Sequence, residues 1–360
     1  MKKTDAARSK LKDFAKLMDE KLAEYWDNEI SSNFGFNSKQ KTLIKEMLLH
    51  SKEHNLRPAK RVRATFTYFS YLLKPGNVLN EKIIKACLAL ELVQTALLMH
   101  DDFMDQDVVR RGKPTTQIYF EKNNDKHYGE SMAVTVGDAV LCLGFELLND
   151  SGFDPIRVQK ANAKMLRGIA QTAYGQAYDV TLEKLQNEWI EDDVISVHKA
   201  KTSIYTFENP LFIGAHLTDL PTETFPILHD YAMDGGVAFQ LQDDILGIYG
   251  DELKTGKSAD SDLLQGKCTL LVVKTLADGT KDQKEALMNV WGQRHADHDD
   301  IELAKKAIVD CGSLEYSKTI SRSYAQKSAK TASKLRALGL NNESIEFLEG
   351  IAEYMVEREL

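Results

Sequence analysis

Twenty consecutive residues constrain this chain more than any other feature: EKIIKACLALELVQTALLMH, from Glu81 to His100. The segment is apolar almost all round, so it cannot lie on a surface and must be sheathed by other elements. As a helix of about five turns it needs a sheath of comparable length. A second largely apolar segment, DYAMDGGVAFQLQDDILGIYG, runs from Asp230 to Gly250. With 360 residues the chain is long enough to bury both. Only 7 prolines and 21 glycines punctuate it, too few for many short strands. Leu11, Phe14, Met18 and Leu22 form a helical stripe with charges of both signs between them. Packing against the body suits that stripe better than a membrane surface does.

No alternating strand pattern and no repeat of solenoid length is visible. Loops fall at 31–40, 73–80, 121–130, 149–155, 217–226, 250–267 and 294–300. The expectation is one all-α domain over 1–360, a large helical bundle with a central cavity between antiparallel helices and an N-terminal helical extension over 1–40.

Charge and cysteine usage exclude several classes. The net charge of -8 argues against a general nucleic-acid or anionic-membrane binder. Bound metals and a few local cations can still invert the field for an anionic substrate. Cys87, Cys142, Cys268 and Cys311 are far apart and form no CxxC pair, so neither a disulfide framework nor a thiolate zinc site is indicated. The N-terminus lacks the apolar core of a signal peptide, and no uninterrupted apolar run reaches bilayer length. These features predict a cytoplasmic protein without stable membrane insertion.

Both apolar segments end in acid. Asp101, Asp102 and Asp105 close the first as DDFMD, and Asp101 and Asp105 share a helix face one turn apart. Carboxylates crowded there repel, and a divalent cation removes the penalty. Oxygen ligands suit magnesium, which takes one or two carboxylates plus substrate phosphate oxygens. A single motif of this kind fits a solvated helix end better than a metal site. A second pair, Asp243 and Asp244, follows Phe239 and Gln240. Two such clusters facing across a cavity could hold two or three magnesium ions on a diphosphate. Arg110, Arg111, Lys60, Arg61, Arg63, Lys201, Lys257 and Lys267 supply cations suited to diphosphate oxygens, although each alone reads as a surface residue.

From about Leu56 to the end, the landmarks KRVR, ALELVQTALLMHDDFMD, RRGKPT, GDAVL, GQAYD, KT, FQLQDD, GDELKTGK and GKCTLL stand in an order that resembles the trans-isoprenyl diphosphate synthases of the polyprenyl synthetase family. The resemblance implies an all-helical fold, usually a homodimer. It also implies head-to-tail addition of isopentenyl diphosphate to an allylic diphosphate. By that resemblance Asp101 and Asp105 bind two magnesium ions and Asp243 a third, with Asp102 and Asp244 also counted among the metal ligands. Arg110, Lys201 and Lys257 contact the allylic diphosphate. Lys60, Arg63 and Arg111 hold the isopentenyl diphosphate, with Gln94 beside it. Gln176 of GQAYD joins the substrate-binding set, and Lys267 sits on a closing loop. Thr202 and Gln240 can solvate an allylic cation without attacking it, and the released diphosphate is a plausible base for the final proton.

Two departures from the family pattern stand out. Pro58 and Ala59 replace the usual glycine pair before Lys60, and Gly247 occupies the last acidic position of the second motif. Asp251 or Glu252 are the expected substitutes for a water-mediated contact there. Val93, Ala96 and Leu97, upstream of Asp101, set the tunnel floor by the same resemblance. A small Ala96 predicts geranylgeranyl diphosphate, with farnesyl or a longer product as the alternative. A non-catalytic subunit of a heteromeric synthase is a further reading, although five of six motif acids are present. A di-iron bundle would need Glu-x-x-His pairs, which are lacking, and a terpene cyclase would not need a second diphosphate site.

Overall fold

Asparagine, aspartate and threonine side chains start many of the long helices. Asn37 accepts from the Gln40 amide at the head of α2 (Ser38–Asn55). Asn80 accepts from Lys82 and Ile83 at the head of α4 (Glu81–Met104), and Asp125 from Tyr128 at the head of α6 (Lys126–Asn149). Each satisfies amides that have no partner in the first helical turn. The structure, a computed structural model, describes residues 2–32, 34–122, 124–182, 189–250, 260–293 and 295–357. It divides into two units.

The first unit comprises Ser9–Ala163 and Ile213–Asp219. It holds most of α1 (Lys3–Ser31), then α2, α3 (Val62–Tyr71), α4, α5 (Thr116–Glu121) and α6. Leu11, Phe14, Met18 and Leu22 are all buried, so the α1 stripe packs as its periodicity predicts. The apolar α4 is the core helix of this unit. Against it, α6 approaches so closely that a Cβ at Gly144 would lie 2.7 Å from Val93 Cγ2. A two-residue hairpin, β1 (Val109–Arg110) with β2 (Lys113–Pro114), follows α4. The sequence reading missed these strands because two residues carry no periodicity. Helices α4 and α6 are both long and apolar enough to cross a membrane by length and composition. Charged residues interrupt each one, so neither is an unbroken apolar run, and α4 is largely covered by protein.

The second unit comprises Met1–Arg8, Lys164–Phe212 and Leu220–Leu360. Helix α7 (Pro155–Leu182) leads in from the first unit, followed by α8 (Glu191–His198) and a π-helical segment (Lys199–Glu208). Next come α9 (Asn209–Thr218) and the long α10 (Thr224–Tyr249). The short α11 (Ser261–Gln265), α12 (Leu270–Asp278), α13 (Lys281–Met288) and α14 (His298–Asp310) follow. The chain closes with α15 (Ser313–Ser333), a 3₁₀ turn and α16 (Asn342–Tyr354). Helix α10 is the core of this unit. It meets the π-helical segment at Gly236, where a Cβ would lie 2.7 Å from Ser203 Cβ. Only glycine permits that approach, and it brings Thr202 beside α10.

Candidate active site

In the first unit the acidic motif ends α4, with Asp105 as its C-cap. The two members of the aspartate pair have opposite fates. Asp101 is half-buried, on the same face as Asp105. Asp102 is fully buried, and Arg110 Nε donates to its Oδ1 at 2.6 Å. His54 Nε2 lies 3.8 Å from the other carboxylate oxygen. Burial would raise the Asp102 carboxyl, but His54 and Arg110 outweigh it and hold it below the usual carboxylate range. The structure therefore aims Asp102, expected among the metal ligands, into the protein. Arg110, expected on the allylic diphosphate, is itself buried and committed to Asp102, with Asp101 3.7 Å away.

The cations of this unit divide in the same way. Arg61 anchors structure: it donates to Asp19 at 2.8 Å, to Glu91 at 3.2 Å and to the Asn55 carbonyl at 2.7 Å. Its φ of +50° turns the chain into α3, the bend that follows Pro58 and Ala59. Arg57, which sequence reasoning passed over, holds the hairpin by its backbone. It donates to the Arg110 carbonyl at 3.0 Å and to the Pro114 carbonyl at 2.9 Å. Lys60 is left exposed and Arg63 half-buried. Arg111 also has positive φ, at +53°. Burial, with Arg61 and Arg110 nearby, brings its guanidinium down to about 10. So many cations gathered around one half-buried arginine make a place that favours an anion. Gln94 is half-buried on α4, and its Oε1 is buried without a hydrogen-bond partner. Ala96 and Val93 are buried, while Leu97 is half-buried.

The second unit repeats the pattern. Asp243 on α10 is half-buried, whereas Asp244 is buried, 3.0 Å from His198 Nε2. Gln240 Nε2 donates to Asp244 Oδ1 at 2.9 Å, and Thr202 Oγ1 donates to Gln240 Oε1 at 2.7 Å. A carboxylate only accepts, so Asp244 fixes which end of the Gln240 amide faces Thr202. Nothing in the spacing of the sequence signals His198. Lys201 is half-buried and donates to Asp179 of the GQAYD motif at 2.8 Å. Gln176 is buried on the same helix. Lys267 Nζ lies 3.2 Å from Asp262 Oδ1. Lys257, Asp251 and Glu252 lie outside the described residues. His295, His298 and the neighbouring Asp297, Asp299 and Asp300 are exposed, as a solvated segment would be.

Among the described residues no three His, Cys, Asp or Glu side chains converge as a ready metal cage. Half-buried carboxylates at the helix ends, one or two at each, still fit magnesium, whose other ligands are water and substrate phosphate.

An all-α scaffold whose apolar helices end in aspartate motifs, with arginine and lysine gathered beside them, defines the isoprenoid synthase class. The chain belongs to the polyprenyl synthetase family, whose profile matches residues 45–308. It is 32% identical over 336 residues to the geranylgeranyl diphosphate synthase of Saccharolobus solfataricus, covering 92% of this chain and 96% of the relative. It is 32% identical over 304 residues to the geranylfarnesyl diphosphate synthase of Aeropyrum pernix, covering 83% and 90%. Its fold matches a geranylgeranyl pyrophosphate synthase of Corynebacterium glutamicum, solved with isoprenyl diphosphate and magnesium. The TM-score of that match is 0.84, with 24% identity and 99% of both chains covered. The protein is a prenyl diphosphate synthase, a transferase making short to medium trans-prenyl chains.

Proposed function

We propose that this protein condenses isopentenyl diphosphate with an allylic diphosphate to give geranylgeranyl diphosphate, as a cytoplasmic homodimer built from one prenyltransferase domain per chain. The observation that carries the reading is the division of labour within each aspartate pair. Asp101, Asp105 and Asp243 are half-buried, while Asp102 and Asp244 are buried on Arg110 and His198. In this reading the three half-buried carboxylates hold about three magnesium ions with the allylic diphosphate. The metal, when bound, neutralises charge that develops on the leaving diphosphate.

The chain's own residues do the rest. Lys201 and Lys257 bind the allylic diphosphate, and Lys267 closes over it. Lys60, Arg63 and Arg111 bind the isopentenyl diphosphate, with Gln94 and Gln176 lining the substrates. Departure of diphosphate leaves an allylic cation, which Thr202 Oγ and Gln240 Oε1 face with oxygen lone pairs. Their mutual hydrogen bond, pinned by Asp244, keeps both oriented and gives the cation dipoles that need no reorganisation. The double bond of isopentenyl diphosphate attacks the cation, and loss of a proton to the released diphosphate restores a neutral chain.

Small, buried Ala96 on α4 supports a product longer than farnesyl diphosphate. The homodimer is supported by α6, which leaves Val134 exposed and Leu141, Leu143, Phe145 and Leu147 half-buried. The deciding experiment incubates purified protein with magnesium, isopentenyl diphosphate and each short allylic diphosphate, then measures product lengths. The expected product has twenty carbons. No elongation with any primer would overturn the enzymatic reading and leave the non-catalytic subunit.

A further inference from the structure

The hairpin that carries Arg110 and Arg111 is too small to hold its own shape. Each strand has two residues, and an isolated two-stranded ribbon is marginal in water. Its turn is Arg111–Gly112, and both residues have positive φ, +53° and +74°. Two-residue hairpin turns favour that geometry, but it suits asparagine or glycine better than arginine. A side chain held in the left-handed region persists there only where its surroundings impose it. Arg57 supplies that constraint. Its buried guanidinium reaches a carbonyl on each strand, Arg110 at 3.0 Å through Nη1 and Pro114 at 2.9 Å through Nη2. Glu53, one turn earlier on α2, accepts from the same Nη2 at 2.8 Å and fixes the plane of the fork. Lys113 of β2 also reaches Glu53, at 2.7 Å. Burial would raise the Glu53 carboxyl, but Arg57 and Lys113 outweigh it and bring it down to about 2, so it stays ionised. The contact is returned, since Arg111 Nη1 donates to the Arg57 carbonyl at 3.3 Å. Pro58, one of the departures from the family pattern, disfavours helix at the residue before it. Helix α2 therefore ends at Asn55, and Arg57 lies beyond it, beside the hairpin.

We infer that Arg57 is a positioning residue for isopentenyl diphosphate: it straps the hairpin to the end of α2 and so places the Arg111 guanidinium where that diphosphate binds. This rests on the functional reading above, which puts Arg111 on isopentenyl diphosphate. Arg57 itself touches no substrate and acts through Arg111. The other cations nearby have their own anchors. Arg61 ties the stretch between Lys60 and Arg63 to Asp19 at 2.8 Å and to Glu91 at 3.2 Å. The Arg110 side chain is held by Asp102. What depends on Arg57 is the turn that presents Arg111, so its loss falls on one of the two substrates.

The alternative is a fold anchor with no bearing on either substrate in particular. Calorimetry on full-length protein measures the affinity for isopentenyl diphosphate, and kinetics give KM for each substrate with the other saturating. Melting temperatures accompany every variant. Arg57→Lys keeps the charge beside Glu53 but has no fork to span two carbonyls. It is expected to weaken isopentenyl diphosphate binding and raise its KM by about tenfold or more, the scale of a misplaced binding group. The allylic KM should stay within about twofold, the margin for independent sites. Adding Arg57→Lys to Arg111→Ala separates the two roles. A residue that acts through Arg111 costs less than about twofold more once Arg111 is gone, whereas independent effects multiply. Wild-type affinity in Arg57→Lys, equal rises in both KM values, or full additivity with Arg111→Ala overturns the inference and leaves the synthase reading intact. An unfolded Arg57→Lys makes the residue a fold anchor and overturns it as well. A wild-type protein that binds no isopentenyl diphosphate and elongates no primer overturns both readings before any variant is made.

Discussion

At the scale of single residues, neighbouring aspartates do different work. Asp101 and Asp243 are half-buried and hold magnesium in the proposed reading, so their loss should remove chemistry and spare the fold. Asp101→Ala or Asp243→Ala is expected to cut turnover by on the order of a hundredfold or more, with little change in urea unfolding. Asp102→Asn should do the reverse in unfolding experiments, because it leaves the Arg110 guanidinium buried without its counter-charge. Breaking such a pair costs about 3–5 kcal/mol, and a urea midpoint unchanged by Asp102→Asn would contradict the assignment. The candidates Asp101, Asp105, Asp243, Lys201, Thr202 and Gln240 were all legible in the sequence, because motif spacing on a helix carries their types and order. His198, His54 and Arg57 were not. Each comes from a separate element and meets its partner only after packing, and none has a spacing that marks it.

At the scale of elements, α4 is both the core of its unit and the support of the first motif. Its Val93 meets Gly144 of α6, and Ala96 is buried one turn nearer the aspartates. Ala96→Phe should shorten the product toward fifteen carbons, and an unchanged chain-length profile would refute the assignment of α4 as the tunnel floor. The contact between α2 and α5 makes a second prediction. His50 stacks on Tyr119 with ring centroids 4.3 Å apart, and its Nε2 is 3.0 Å from Thr116 Oγ1. Burial, with His54 and Arg57 close by, brings the His50 imidazole down to about 3. In the unfolded chain it titrates near the ordinary histidine value of about 6.5. Between those values the unfolded chain binds the extra proton. Stability is therefore full above about pH 6.5 and falls as the pH drops, by up to about 1.4 kcal/mol per pH unit for this group. Unfolding free energies at pH 7 and pH 5 should differ less in His50→Gln than in wild type. An equal acid loss in both would show that His50 is not responsible.

At the scale of the whole molecule, the apolar residues that α6 leaves uncovered bear on assembly. Val134→Asp should convert the proposed dimer to monomer in light scattering after size exclusion, whereas a wild-type monomer at high concentration would remove the dimer from the reading. The all-α class followed from the sequence alone, since few glycines and prolines and two long apolar segments leave no other economical way to satisfy the backbone. The grouping of Asp101 with Asp105 followed too, because residues a helical turn apart share a face whatever surrounds the helix. What only the tertiary structure decided is which carboxylate of each motif is buried against a counter-charge. Arg110 holds Asp102 in the interior, and His198 does the same to Asp244. Spacing along one helix specifies a face, but burial and counter-charge are set by elements far apart in the chain.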